Sequence, residues 1–321
     1  MRRHRTAVGI LLTVGALLTG ALSATAATAA SATPSPGDAA VRSAPAAEQR
    51  QAAAFWTAER MRGAAPLDLR LTPTARKALR TPQPGAATTT VGPTAFPQAG
   101  GAWSGGGAVV KTTGRVFFTF QGKTASCSGN AVTSQNASTV ITAGHCVKYQ
   151  GSWHTNWVFV PGYDNGQAPH GRWTATRTLT TPQWEASEDI NYDIGAAVVA
   201  PLDGRKLTSV TGAQGIQFNG GYNKAMYAFG FPAAAPYDGS KLIYCSGNSA
   251  KDFLFSQDHS LGCNMTGGSS GGPWFTGFSE TAGTGLQVSV NSFGYTFLPN
   301  RMFGPYFGDE AKAVYDKAQT S

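Results

Sequence analysis

The sequence predicts an all-β fold from about residue 100 onward, with two barrels or sandwiches packed together. Short β-like runs there are separated by Gly, Asn, Pro and Asp, a spacing typical of all-β proteins rather than alternating βα units. The 40 glycines and 18 prolines among 321 residues indicate many turns. About 220 residues follow position 100, more than one small barrel needs. The predicted strands are 116–120, 138–142, 157–160, 194–200, 225–230 and 286–291.

One clear helix is predicted close to the C-terminus, over 308–319. Its apolar residues Ala311, Val314 and Tyr315 fall on one side of a helical turn pattern. We place the first barrel at about 100–205 and the second at about 206–305.

The first residues predict a signal peptide over 1–29. Arg2, Arg3 and Arg5 precede an apolar stretch over 7–22, and small-x-small cleavage sites follow at 24–26 and 27–29. The alternative is a short membrane anchor, although no apolar run approaches the roughly 20 residues that span a bilayer. We therefore expect a secreted protein that folds where disulfides persist, without stable membrane association.

Residues 30–95 predict a pro-segment and linker that are removed after export. Residues 46–63 are compatible with a helix, 67–80 with a second short helix, and 81–97 with a linker rich in Thr, Pro, Gly and Ala. The alternative is a retained flexible arm. The remaining chain, residues 96–321, is called the body below and carries all of the candidate catalytic and binding residues.

The net charge of +8 does not indicate nucleic-acid binding. Residues 1–92 hold 11 Lys and Arg against 4 Asp and Glu, whereas residues 93–321 hold 14 against 13. The body therefore has no basic cluster able to neutralise several phosphates. Charged residues make up only 13% of the chain, which also argues against intrinsic disorder.

The four cysteines, Cys127, Cys146, Cys245 and Cys263, all lie in the body. Four cysteines allow three pairings. We favour Cys127 with Cys146 and Cys245 with Cys263, because each pair brackets two adjacent strand-like runs. The sequence has no CxxC or HExxH spacing, so no metal or other cofactor is expected.

Three short motifs indicate acyl-transfer chemistry. In the first, His145 follows a strand-like run and a tight Ala-Gly turn, where a neutral imidazole can accept a proton near neutral pH. In the second, Ser270 lies among glycines that permit close approach of a substrate, with the N–H groups of Gly268 and Ser270 placed to stabilise an oxyanion. The alternative for the first motif is a surface or core histidine without a catalytic role, and the alternative for the second is a Gly/Ser linker. The Pro-Trp-Phe that follows the serine motif is typical of a strand and argues against a linker.

The third motif places Asp193 at the start of a buried strand, where its charge needs a partner such as the imidazole of His145. A turn-capping role is the alternative for this residue, and Asp189 is close enough to compete with it. The serine motif also fits the Gly-x-Ser-x-Gly elbow of α/β-hydrolases. That interpretation fails because no histidine follows Ser270 in the chain.

The order His145, Asp193, Ser270 resembles the trypsin/chymotrypsin-like serine peptidases, especially the bacterial branch that includes V8-type glutamyl endopeptidases. The matching signatures are TAGHC at 142–146, DIG at 193–195 and GSSGGP at 268–273. The resemblance implies two six-stranded antiparallel β-barrels and a disulfide beside the catalytic histidine. It also implies a serine endopeptidase in which Ser270 is the nucleophile, His145 the base and Asp193 the orienting acid.

The resemblance further implies that Ser292, Phe293 and Gly294 pair with the substrate backbone, and that Asn264 lies near the base of the specificity pocket. Ser269 stands where animal digestive enzymes have Asp, so activation through a new N-terminal ammonium is not expected. The pocket stretches carry no charged residue or histidine, which favours an uncharged P1 side chain. Thr266 keeps a glutamyl preference open, because its hydroxyl can donate to a carboxylate.

The resulting interpretation is a secreted, monomeric serine endopeptidase acting on proteins or peptides, with no nucleic-acid partner. The alternatives are a protease-fold binding protein without turnover and an esterase that uses the same triad.

Overall fold

The computed structural model describes residues 38–72 and 97–321, which fall in the unit Pro34–Ser321. The predicted signal peptide and most of the predicted linker lie outside the described residues. The helices are α1 Ala46–Phe55, α2 Ala58–Arg62, α3 Val109–Thr112, α4 Pro182–Ser187, α5 Leu207–Thr211 and α6 Asp309–Gln319, with 3-10 turns at Gly144–Cys146 and Ile190–Tyr192.

The strands are numbered along the chain. They are β1 Ala40–Ser43, β2 Ala65–Pro66, β3 Arg70–Leu71, β4 Gln98–Ala102, β5 Thr113–Phe120, β6 Lys123–Ala131, β7 Thr139–Thr142, β8 Lys148–Tyr149, β9 Ser152–Trp153, β10 Thr155–Pro161, β11 Trp173–Thr180, β12 Gly195–Val199, β13 Gly215–Ile216, β14 Ala225–Gly230, β15 Ile243–Asn248, β16 Ala250–Lys251, β17 His259–Gly262, β18 Pro273–Ser279, β19 Thr284–Val290, β20 Gly294–Tyr295 and β21 Arg301–Gly304.

The first half of the body is a closed antiparallel barrel of six strands. They follow the order β11-β10-β5-β6-β7-β12, and β12 pairs back with β11 to close the barrel. Alternating apolar residues point inward, among them Val116, Ile141 and Phe159, none more than 1% exposed. β12 is buried along its whole length, which explains why it reads in the sequence as a continuous apolar run.

The second half contains a six-stranded sheet and a smaller three-stranded sheet. The larger one has the order β13-β19-β18-β14-β15-β4, and the smaller one the order β16-β17-β21. The pairing of β13 with β19 is parallel, unlike the all-antiparallel arrangement expected. β4 pairs with β15, so 98–102 belongs to the second half, although the sequence placed the start of the first barrel near residue 100.

The all-β prediction and the C-terminal helix are confirmed. Each of the six predicted strands overlaps an observed one. α6 covers the predicted 308–319 except its first residue, which caps the helix. Ala311, Val314 and Ala318 of this helix pack into the core of the first barrel. Among the described residues, no helix is long and apolar enough to cross a membrane.

Residues 38–72 form an N-terminal segment, and its part 38–66 packs against the first barrel. β1 adds to the edge of β11, and β2 pairs with β6. The predicted single helix over 46–63 is instead two helices, broken at Trp56. The Trp56 ring is fully buried and donates from Nε1 to the carbonyl of Asn156 at 2.6 Å. Thr57 then caps α2 by accepting from the N–H of Arg60.

The second helix predicted within 67–80 is wrong for its described part, 67–72. These residues are extended and β3 lies among them. Their backbone groups bond to the body of the protein rather than to one another, and these tertiary contacts override local helix propensity. Residues 73–80 lie outside the described residues.

Candidate active site

His145 and Asp193 lie at the same end of two paired strands. β7 pairs antiparallel with β12, and Thr142 is opposite Gly195. His145 follows the end of β7 and Asp193 precedes the start of β12, so both lie at the same end of this strand pair. The Asp193 Oδ2 atom is 2.7 Å from His145 Nδ1, and Oδ1 accepts from the His145 backbone N–H at 2.7 Å. Both side chains are fully buried. A carboxylate only accepts, so Nδ1 donates, and Nε2 is left as the proton acceptor.

Asp189, the competing acid, has a different role. Its Oδ1 atom accepts from the backbone N–H of Asn191 and thereby caps the 3-10 turn before Asp193. The geometry therefore selects Asp193 as the partner of His145.

Two further side chains hold this pair, and the sequence did not single out either role. Ser292, predicted only as a substrate-binding residue, donates from Oγ to Asp193 Oδ2 at 2.5 Å. The Nε2 atom of His154 bonds to the backbone carbonyl of His145 at 2.8 Å, and the ring stacks on Phe118 with centroids 4.2 Å apart. Burial lowers the pKa of His154 to about 4, so its ring is neutral at pH 7 and Nε2 is the donor.

The predicted disulfides are present, and one supports the histidine turn. Cys127 on β6 is joined to Cys146, the neighbour of His145, and Cys245 on β15 is joined to Cys263. The described residues contain no free cysteine. The first bridge fixes the 3-10 turn to the adjacent strand.

Ser270 lies in the loop before β18, and Ser128 of the first barrel holds this loop in place. The Ser128 N–H donates to the carbonyl of Ser270 at 2.7 Å, and its hydroxyl donates to the carbonyl of Gly268 at 2.9 Å. Gly268 and Gly271 have positive φ of 93° and 80°. A Cβ on Gly271 would clash with the Thr142 hydroxyl oxygen, so only glycine lets the serine loop approach the histidine strand this closely.

Gly268, the predicted oxyanion donor, and Ser270, the predicted nucleophile, both contact a peptide carbonyl of the N-terminal segment. The Gly268 N–H donates to the carbonyl oxygen of Leu67 at 3.0 Å, and Ser270 Oγ donates to the same oxygen at 3.4 Å. His145 Nε2 is buried and has no hydrogen-bond partner among the described residues. The serine loop therefore lies against the strand that leads to His145, and the Ser270 hydroxyl is bonded to Leu67.

The predicted specificity-pocket residues are neutral and internally bonded. Asn264 Oδ1 accepts from the hydroxyl of Tyr237 at 2.5 Å, and the Asn264 N–H donates to the carbonyl of Ala99 on β4. The Thr266 hydroxyl donates to the carbonyl of Ala234 at 2.6 Å. The Thr266 hydroxyl is thus bonded within the chain in this structure.

The predicted substrate segment lies beside an apolar cluster. Phe293 is 1% exposed and packs with Trp184, Ile190 and Tyr295. Gly294 donates its N–H to the carbonyl of Leu69 at 3.2 Å. The segment therefore does pair with a peptide backbone, although that backbone belongs to the same chain.

Two solved serine proteases resemble the chain along almost their whole length. Protease Anisep from Arthrobacter nicotinovorans is 44% identical with a TM-score of 0.63, and the match covers 67% of this chain and 98% of that one. The chain belongs to the serine proteases of the chymotrypsin fold. A second such protease, the thermostable AL20 from an extremophilic microorganism, is 42% identical with a TM-score of 0.63, covering 67% of this chain and 99% of that one.

Two more distant relatives give less information about function. A Glu endopeptidase structure, 16% identical with a TM-score of 0.55, covers 69% of this chain and 97% of that one, and shares the fold alone. The "Extracellular metalloprotease" of Bacillus subtilis (strain 168) is 25% identical over 186 residues, 57% of this chain and 56% of that protein. The chain therefore spans about half the length of this curated relative. No protein-family model matches the chain.

The name of the Bacillus protein raises the question of a metal. Among the described residues, one group of three potential ligands has its donor atoms within 4.8 Å of one another, namely Cys127, His145 and Cys146. Both sulfurs are joined in a disulfide, so neither can supply the thiolate that a metal binds. These residues do not fit a metal centre.

Proposed function

We propose that this protein is a secreted serine endopeptidase made as a precursor. Ser270 attacks the scissile carbonyl and forms an acyl-enzyme. His145 Nε2 takes the serine proton and then delivers it to the leaving amine, while Asp193 orients the ring and stabilises the imidazolium. Gly268 and Ser270 supply N–H groups to the oxyanion. Water then hydrolyses the acyl-enzyme with His145 as the base.

One observation carries this proposal. A buried Asp193–His145 pair, 2.7 Å between Oδ2 and Nδ1, lies next to a serine loop whose Gly268 N–H already holds a peptide carbonyl at 3.0 Å. Such a donor is what a tetrahedral intermediate requires. Export fits with this assignment, because the chain has two disulfides and resembles an extracellular protease.

A fluorophosphonate probe tests the assignment, because it reacts only with an activated serine. We expect labelling of the processed protein, located at Ser270 by peptide mapping, and none in Ser270→Ala. Mass spectrometry after digestion of a peptide library gives the cleavage rule, and the N-terminus of the secreted active protein gives the processing site. A protein that binds peptides but never labels would be the binding-protein alternative, and one that cleaves esters only would be the esterase.

A further inference from the structure

Part of the N-terminal segment, residues 65–71, crosses the candidate site from one side to the other. Ala65 and Pro66 pair in parallel with Ala125 and Ser126 of β6, directly before the disulfide-bonded Cys127. The Leu67 N–H then donates to the carbonyl of Ser126 at 2.9 Å. Continuous backbone bonding therefore brings the segment to the serine from the side of the first barrel.

Leu67 presents its carbonyl to the groups proposed for the reaction. The oxygen accepts from Gly268 N–H at 3.0 Å and from Ser270 Oγ at 3.4 Å. The next residue, Asp68, lies against the backbone of Gly267, where a Cβ added to the glycine would be 2.8 Å from Asp68 Cβ. The proposed oxyanion donor is thus occupied by a peptide of the same chain.

Beyond the serine, the segment follows the predicted substrate-binding strand. Gly294 and Thr296 donate their N–H groups to the carbonyls of Leu69 and Leu71 at 3.2 and 3.1 Å. Leu69 is 7% exposed and its side chain fills the apolar cluster that contains Trp184 and Phe293. Leu69 is therefore the apolar anchor of the segment in this cluster.

We propose that residues 65–71 are a built-in inhibitor of the proposed peptidase. They block the candidate site on both sides of Ser270 and are themselves not cut there. This inference rests on the proposed function.

Two features of the bound segment explain why it blocks the site rather than reacting. The Ser270 hydroxyl gives its hydrogen to Leu67 O, while His145 Nε2 has no partner among the described residues. The base therefore does not hold the serine proton. In addition, β3 runs parallel to β20, and its direction is fixed at the other end by the parallel pair of β2 with β6. The segment is therefore held at both ends, by β6 on one side of Ser270 and by β20 on the other.

The experiment measures the rate at which a fluorophosphonate labels Ser270 in the full precursor. Trypsin sites at Arg76, Lys77 and Arg80 lie between the segment and the body, so trypsin treatment followed by its removal and dilution gives the released enzyme. We expect the uncut precursor to label at least tenfold more slowly than the released enzyme. In uncut Leu69→Asp, loss of a buried leucine anchor should restore labelling by roughly tenfold or more.

The matched control is Val41→Asp, which adds the same charge to β1 of the same N-terminal segment. Val41 is 40% exposed and lies far along the chain from the serine contacts, so this variant should label as slowly as the wild-type precursor. A synthetic peptide of residues 64–72 added to the released enzyme should slow labelling and remain intact, whereas the same peptide with Asp at position 69 should not slow it. The peptide arm keeps the test decisive even where Leu69→Asp fails to fold.

The outcomes separate the two proposals. If the uncut precursor labels as fast as the released enzyme, or if the peptide does not slow labelling, the inhibitor proposal is overturned while the peptidase assignment stands. If the released, diluted enzyme neither labels nor cleaves any peptide, the proposed function itself fails.

Discussion

Acidification should destabilise this protein, and His154 supplies a measurable share of the effect. Burial against Phe118 lowers the pKa of His154 from 6.5 to about 4 in the folded state. Between about pH 6.5 and 4, the unfolded chain therefore binds a proton that the folded protein does not. The contribution of neutral His154 to the free energy of unfolding is therefore fully present above about pH 6.5 and is lost as the pH decreases through this window.

The size of the effect follows from the two pKa values. One pKa unit corresponds to about 1.4 kcal/mol, so the full loss from His154 is about 3 kcal/mol, and the loss between pH 7 and pH 5 is about 2 kcal/mol. His259, whose pKa burial lowers to about 3, adds a loss of similar size. Burial raises the pKa of Asp258, and this group opposes the trend because its folded form takes up the proton more readily.

The assay isolates His154 from these other groups. We expect His154→Gln to keep a donor for the carbonyl of His145 while removing the titration. Urea unfolding, followed by tryptophan fluorescence at pH 7, 6 and 5, is compared for both proteins in a Ser270→Ala background that prevents self-digestion. His259 and Asp258 contribute equally to each protein and cancel in the difference. The parent should lose about 2 kcal/mol more than the variant between pH 7 and pH 5. Parallel pH dependences for the two proteins would refute the argument.

Three further predictions follow from the site and the packing. Ser270→Ala and His145→Ala should each abolish nearly all hydrolysis of a peptide substrate, and the double variant should be little worse than either, because the groups act as a unit; retention of more than a few per cent by either single variant contradicts the assignment. Trp56→Ala removes a fully buried ring and should weaken docking of the N-terminal segment by about 3–5 kcal/mol, seen as faster hydrogen exchange in α1 with little change in α6. Matched substrates with Phe, Leu, Glu or Arg at P1 should give the highest kcat/KM with an uncharged residue, since Asn264 and Thr266 are neutral and already bonded; a clear preference for Glu or Arg would require a charged group from elsewhere in the chain.

The local part of the site could be predicted from the sequence, because each motif carries its own strand end or turn. His145 and Asp193 are both defined by the apolar runs next to them, and those runs pair as neighbouring strands. The role of Ser292 could not be predicted in this way, because its bond to Asp193 joins residues 99 positions apart. His154 lacked a signal for a different reason, since its partners are a backbone carbonyl and the stacked ring of Phe118, and neither contact leaves a pattern in the sequence.

The N-terminal segment shows the other limit of sequence reasoning. Residues 67–72 have leucines and charges at a spacing compatible with a helix, yet their backbone is extended by bonds to Gly268, Gly294 and Thr296. Such bonds leave no pattern in the segment itself. Trp56 gave a partial signal, because a large apolar ring in a stretch of alanine and charged residues needs a place to be buried, but the sequence did not indicate that the place was the first barrel.

The docking of β1, α1 and β2 on the first barrel has a consequence for the onset of activity. While the chain is continuous, residues 65–71 are a tethered ligand, and tethering can give an effective concentration in the millimolar range. A cut anywhere in 73–96 changes no contact described here, but it converts this ligand into a separate molecule whose occupancy follows mass action. Activity should then appear upon dilution rather than upon cleavage, so the volume into which the protein is released would set the time at which it begins to digest.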